Sequence, residues 1–387
     1  MSSSSLPRIR LGVRLDARAL GVGLAYSFAS LGVVQKYANT AAALVLFALA
    51  PVVGLAVAAL LALARARLSE RTADILAAAL LGLAVAVLLI VYPHANTHAP
   101  DQGSDRDDAA TIGARGFLHG ENPYGSFTYL HNPVSQLPTL LVVAMPFAGL
   151  FGSSAYELVL FAPLLYLLWR RLAGSRVALV LLLVTLASPT FLRDFLTGGD
   201  LMPNTVLVAA ACVFLWNTEG SRELAAAALL GVALASRANF AIVLIPLLVA
   251  LARRRGMRAA LRAGVVVAAV FATIVLPFAL TPGGRTALSM NDKLSEIPGG
   301  APLILVLASV LAVALALPTR EWTIGGFFAQ AAIVQAAFLV AVVVNTSVDS
   351  GRPDFFWLVS GYGVPTLLFA LTSLCRPRFA AHPLLDS

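Results

Sequence analysis

The chain has 387 residues, 59% of them hydrophobic and 12% charged, with a mean hydropathy of +0.86. Soluble globular domains carry about 25% charged residues, so the composition excludes a water-soluble protein. The net charge of +8 resides in arginine clusters between apolar runs, which reads as a membrane-topology signal and excludes a nucleic-acid surface.

In chain order, residues 1–19 open with MSSSSLPRIR and lack the short apolar core and cleavage site of a signal peptide, so they read as a cytoplasmic tail. Apolar runs at 41–64, 73–92, 261–280, 324–345 and 355–375 approach or exceed the ~20 residues that cross a ~30 Å hydrocarbon core. Lipid cannot satisfy backbone polar groups, so these runs are expected to be helices. The runs are far longer than the ~10 alternating residues of a barrel strand. The expected fold is an all-α polytopic membrane protein with residues 1–387 as one integral membrane domain.

Arginine clusters at 8–18, 65–71, 170–176, 253–262 and 376–378 all fall in the cytoplasm by the positive-inside rule, which sets the parity of the crossings. Between the polar stretch 93–136 and Arg170 lie two apolar runs, yet parity admits one crossing. The 137–151 run is short, interrupted by Pro138 and Pro146 and followed by Gly152, so it is expected to be re-entrant or interfacial. About 12 crossings result, with residues 376–387 a second cytoplasmic tail and the segments 93–136, 188–200, 281–301 and 346–354 on the exterior. The runs at 223–236 and 239–251 are short for spans. Cys212 and Cys375 have no partners at ligand spacing, so neither a disulfide framework nor a zinc site is expected. Arginine far outnumbers lysine, which occurs only at Lys36 and Lys293, and alanine is abundant. That bias points to a GC-rich bacterial genome and hence a bacterial plasma membrane.

Polar chemistry concentrates in residues 93–136, which hold four of the five histidines and five of the nineteen acids. Asp105 and Asp108 are i and i+3 and share a face if a short helix starts near Ser104 as its N-cap. Asp107 points elsewhere on such a helix. Three aspartates opening an exposed helix are explained as well by solvated caps that complement the helix dipole. His94 and His98 stand four apart and, with Asp101, have the elements of a divalent-metal site, although Pro93 and Pro100 bracket a segment too short to assure a helix. A polar turn accounts for them as well, so no metal site is assigned.

Beyond the aspartates the order is an alanine-rich helix, Gly120, Asn122-Pro123-Tyr124, Tyr129, Asn132-Pro133 and a proline-punctuated apolar run, within GSDRDDAATIGARGFLHGENPY and the residues that follow. This order resembles the polyprenol-phosphate-dependent glycosyltransferases of the GT-C superfamily, especially the mannosyltransferase-like glycosyltransferase family 87. Those proteins carry an exterior-loop Asp, an "AA" helix ending in "LLxG", an "NPY" or "DPY" step and a "YPP" step into the next apolar segment. The resemblance continues through ASPTFLRDFLTGGDLMPN, where the family has an "SP" span end and a "GQxN" step. It extends into LLGVALASRANFAIVLIPLLVALARRR, similar to the family's "GLAxALKPxP" and basic loop. It covers residues 104–255; beyond them the match is hydropathy alone. Here LHNP replaces "YPP", GGDLMPN replaces "GQxN" and Arg237 replaces the usual lysine. Counted back from Gly120, the family's aspartate falls between Asp105 and Asp107.

The resemblance implies a GT-C-like bundle whose first long exterior loop is catalytic. It implies transfer of a sugar, with mannose and arabinofuranose both suggested by family association, from a polyprenyl-phosphate donor held among membrane lipids to a glycan or glycolipid acceptor. Because phosphate leaves without a general acid, such an enzyme mainly needs a carboxylate to take the acceptor's proton. Asp105 is assigned that role, with Asp108 orienting the acceptor. No cofactor is required, although a divalent cation between Asp105, Asp108 and phosphate oxygens is chemically allowed. Arg237, at the exterior end of two apolar runs, and Arg193, near Asp194 and Asp200, are assigned to the donor phosphate; snorkelling and a local ion pair are the bland accounts of each. Arg106, Asn122, Tyr124, Asn132, Asp200 and Asn204 are assigned to substrate, having the donors and acceptors that sugar hydroxyls and phosphates use. Turn chemistry explains Asn122-Pro123 and Asn132-Pro133 equally well. A transporter or flippase of lipid-linked sugars, and a non-catalytic envelope assembly protein, are the alternatives.

Overall fold

A computed structural model describes residues 17–96, 104–281, 283–285, 300–317 and 322–375. Among them the chain is helical with no strand, apart from an isolated antiparallel bridge between Phe127 and Pro133. The fold is that of an all-α membrane protein. Among the described residues five helices are long and apolar enough to cross a bilayer, or up to seven if two sharply bent pairs are each one span.

The helices are α1 (Ala17–Tyr37), α2 (Thr40–Ala48), α3 (Ala50–Arg67), α4 (Glu70–Ala95), α5 (Arg106–Leu118), α6 (Pro138–Leu150), α7 (Leu158–Ala173), α8 (Ser175–Leu186) and α9 (Pro189–Leu196). They continue as α10 (Leu201–Asn217), α11 (Glu223–Leu234), α12 (Leu244–Arg255), α13 (Met257–Ala279), α14 (Gly300–Ala316), α15 (Ile324–Ser350), α16 (Phe356–Val359) and α17 (Val364–Thr372).

Local chemistry sets the ends of the long spans. Ser69 caps α4 by accepting from the Thr72 amide at 3.0 Å, and Glu70 occupies the first turn, where a negative charge meets the positive helix end. Thr323 caps α15 in the same way, and α15 stops at Gly351 in the left-handed conformation. Only 17% of the apolar window of α4 is buried inside the protein, against 56% of that of α15. The less buried helix is also the more apolar, with a mean hydropathy of 2.9 against 2.3, as expected if α4 faces lipid and α15 packs in the bundle.

The pair α6–α7 bends by 105° and the pair α8–α9 by 78°, each either a broken span or a re-entrant loop. The 137–151 run is therefore a helix set nearly at right angles to its successor. The two short runs that follow Glu223 also fall short of a bilayer as single helices: α11 and α12 have 12 residues each, joined through Ser236, Arg237 and the 3-10 segment Ala238–Val243. Backbone at this break is satisfied by protein. The Leu137 amide donates to the Ser236 carbonyl at 3.1 Å and the Thr139 amide to the Ala235 carbonyl at 3.0 Å. The open amides at the start of α6 thus meet the open carbonyls at the end of α11, which is how irregular chain is tolerated inside an apolar bundle.

The bundle has two chemically distinct ends. At one, Arg170 pairs with Asp74 at 2.9 Å, Arg176 with Glu70 at 3.6 Å, and Arg255 with Glu219 at 3.5 Å and Glu223 at 3.9 Å. Arg18 donates to the Ser373 carbonyl at 3.3 Å, so the start of α1 and the end of α17 meet there too. From this basic end α4 runs 26 residues, about 39 Å at 1.5 Å per residue, to Tyr92 and Asn96 at the other.

Candidate functional site

At that second end a cavity of about 380 Å³ opens, and Lys36, Asp105, Arg106, Arg193, Arg237 and Tyr362 are among the side chains lining it. They come from separate parts of the chain: the end of α1, the start of α5, α9, the α11–α12 break and the turn before α17.

The helix carrying the aspartates starts later than expected. Arg106 is its first residue and Asp105, not Ser104, holds the cap position, without capping any helix amide through its side chain. The carboxylate is drawn away by better donors: Asp105 Oδ2 accepts from Thr128 Oγ1 and from Asn132 Nδ2, each at 2.7 Å. A tight turn brings these two donors together. The Thr128 amide donates to the Asn132 carbonyl at 2.9 Å, and His131 takes a positive φ of 60°, an uncommon conformation for a residue with a side chain. Both hydrogen bonds fall on one oxygen of Asp105, Oδ2.

The two aspartates paired in the sequence reading line different cavities, although Tyr129 lies near both. Asp105 lines the large cavity, whereas Asp108 lines a separate one of about 250 Å³ with Asn96, Arg115 and Ser153. Asp105 holds the cap position at φ −97°, ψ 11°, and Asp108 is the third residue of the helix. Asp107 turns into the protein and is 1% exposed. Its Oδ2 accepts from the Tyr92 hydroxyl and from Asn96 Nδ2.

Burial pushes the Asp107 carboxyl up to about 8; the Tyr92 hydroxyl opposes this and the nearby Asp108 charge adds to it. A folded-state pKa raised above the unfolded one means that the native protein holds a proton the unfolded chain releases. Its stabilising contribution is therefore full below the ordinary aspartate range and is lost as pH rises towards and through about 8. The slope for one group is at most about 1.4 kcal/mol per pH unit. Thermal midpoints from pH 5 to 9 should fall for the native chain relative to Asp107→Asn, and parallel curves would refute the assignment.

Arg237 does not snorkel. It is 7% exposed and its Nη1 bonds Asp200 Oδ2, with Asp200 itself 1% exposed. The other oxygen of Asp200 lies 3.9 Å from Arg106 Nη1, which also pairs with Asp194 at 3.4 Å. Both guanidiniums face the Tyr362 ring, Arg106 at 4.4 Å and Arg237 at 5.7 Å from its centroid, and Arg237 Nη2 donates to the Tyr362 hydroxyl at 3.5 Å. Gly199 makes this wall possible, since a Cβ there would collide with the Asp194 carboxylate. Asp194 is thus engaged by an arginine distant in sequence, and Arg193 Nη1 donates to the Val359 carbonyl at 2.6 Å.

The remaining assigned residues divide. Asn132 lines the cavity. Asn122 is exposed and accepts from the Tyr124 amide at 3.2 Å, the turn role open to it from the start. Tyr124 is buried against Phe278, its hydroxyl donating to the Gln136 carbonyl at 3.0 Å, so it braces the loop from behind. Asp200 and Asn204 lie behind the cavity wall, Asn204 Nδ2 donating to the Asp200 carbonyl at 2.8 Å. Asn122, Tyr124, Asp200 and Asn204 are not lining residues.

His98 and Asp101 of the considered metal site lie outside the described residues. Among the described residues no group of three or more His, Cys, Asp or Glu side chains is placed to hold a metal ion. Sequence reasoning passed over Lys36, Thr128, Gln136, Trp357 and Tyr362. Gln136 supports the site from within, its Nε2 donating to the Arg106 carbonyl at 3.2 Å. The one available signal was rarity, since Lys36 is one of two lysines in the chain.

What the arrangement offers chemically is a proton acceptor on one wall and cations on the others. No family model matches the chain, and no curated protein or solved structure matches it significantly.

Proposed function

We propose that this protein is a membrane glycosyltransferase of GT-C type, with about 12 crossings, acting on the exterior face of a bacterial plasma membrane with both termini cytoplasmic. It transfers a sugar from a polyprenyl-phosphate donor to a hydroxyl of a glycan or glycolipid acceptor. The observation that carries this reading is the single cavity in which Asp105 faces Arg193 and Arg237.

In the proposed reaction Asp105 takes the proton of the acceptor hydroxyl as its oxygen attacks the anomeric carbon. The bond from that carbon to the phosphate oxygen breaks, and the electron pair leaves with polyprenyl phosphate. Guanidiniums fixed beforehand stabilise the charge that develops on the leaving group. Attack opposite the leaving group inverts the anomeric centre.

One observation favours a second reading. Arg106, Asp194, Asp200 and Arg237 form a buried ionic cluster, and ionisable groups inside membrane proteins also mark transport paths. Proteoliposomes loaded with a polyprenyl-phosphate sugar and an acceptor glycolipid separate the two. A new glycosidic product supports the transferase, whereas movement of the lipid-linked sugar between leaflets with no product would replace it by a flippase.

A further inference from the structure

Charge in the cavity wall is distributed unevenly. Arg106, assigned from sequence to substrate, and Arg237, assigned with Arg193 to the donor phosphate, are each paired with a buried carboxylate, Asp194 or Asp200. A guanidinium so paired offers hydrogen-bond donors and geometry, but its net charge is largely cancelled. An anion in the cavity must draw net attraction from elsewhere.

Lys36 lines the same cavity from the end of α1 and, among the described residues, makes no ion pair; its ammonium lies 5.7 Å from the centroid of the Tyr37 ring. Its place is set by its neighbour. Gln35 Nε2 donates to the Pro353 carbonyl at 2.8 Å and Gln35 Oε1 accepts from the Phe355 amide at 3.0 Å, clamping the end of α1 to the segment that carries Trp357 and Val359. Three residues earlier Gly32 lets α1 lie directly on that segment, since a Cβ would collide with the Val359 amide and the Phe355 carbonyl. Val359 in turn accepts from Arg193. One rigid wall therefore presents Lys36 and Arg193 to the cavity together.

We propose that Lys36 is a binding residue for the phosphate group of a lipid, supplying net positive charge that the paired arginines lack and setting preference for phosphate-headed over uncharged lipid ligands. The proposal rests on the donor class put forward above. A lysine suits this role because its ammonium is a mobile point charge that follows a phosphate oxygen, while the arginines stay fixed by their acids.

The test uses the full chain in detergent micelles, titrated with polyprenyl monophosphate and, in parallel, with polyprenol and inorganic phosphate, read by thermal shift. The native chain should bind the phosphate lipid, with polyprenol at least about tenfold weaker. Lys36→Gln should weaken phosphate-lipid binding about tenfold and leave polyprenol binding unchanged, while Lys36→Arg should restore most of the loss. Raising salt should weaken the native chain more than Lys36→Gln, because one screened charge pair is gone. Equal phosphate-lipid affinity in the native chain and in Lys36→Gln overturns the role of Lys36 alone. Absence of phosphate-lipid binding by the native chain overturns the donor class and Lys36 with it. Binding of inorganic phosphate as tight as that of the lipid would replace the lipid by a soluble phosphate.

Discussion

Asp105→Asn is expected to lower sugar transfer by about 10²–10⁴-fold while the protein still folds and inserts. Both hydrogen bonds that hold Asp105, from Thr128 and Asn132, fall on one carboxylate oxygen. An asparagine keeps an acceptor in that position, so the loop retains its anchors. What it lacks is a basic oxygen for the acceptor's proton. The comparison that matters is with Asp107→Asn, because counting back from Gly120 puts the family's aspartate between the two positions. Asp107 accepts from Tyr92 and Asn96 and does not line the large cavity, so it is not placed to reach a hydroxyl bound there. Transfer measured with a polyprenyl-phosphate sugar, beside the thermal midpoint of each variant, decides between them. Undiminished transfer by a folded Asp105→Asn protein would end the assignment.

Asp200→Ala should destabilise the protein by about 3–5 kcal/mol, the largest stability effect expected of any single substitution here. Asp200 is 1% exposed, bonds Arg237 and lies 3.9 Å from Arg106, so its removal leaves a largely buried guanidinium without its carboxylate. The cost arises from the partner left behind more than from the pair itself. Replacing both members by apolar residues of similar size, Asp200→Leu with Arg237→Met, is therefore expected to recover much of the stability lost in the single variant. Thermal midpoints of the two single variants and the double variant, in one detergent, measure the coupling. Losses that simply add would show that the two residues do not act as a buried pair.

The membrane architecture was legible in the residues because hydropathy is summed along a contiguous run. Residues 73–92 need no information from elsewhere to be read as a span, and α4 contains them all. Asp105 was legible as a polar residue at a helix start, and Asn132 as a polar residue in a turn. That one holds the other was not, because the bond crosses 27 residues of loop. Nor did spacing show that Asp105 turns its carboxylate to the loop, where Thr128 and Asn132 hold it.

Arg237 illustrates the remainder. Its position near a span end followed from counting apolar residues, but burial or snorkelling depended on whether a carboxylate stood opposite, and Asp200 lies 37 residues away with Tyr362 a further 125 from Arg237. Lys36 entered the site for the same reason, through a clamp between Gln35 and a segment about 320 residues later. Apolar runs and charge order are one-dimensional properties, so the amino-acid order alone establishes that this chain is a helical membrane protein with a polar loop rich in acids. Which cation meets which anion is a property of packed distances between remote segments. Hence the cavity, its paired arginines and the lysine beside them emerge only once the helices are brought together.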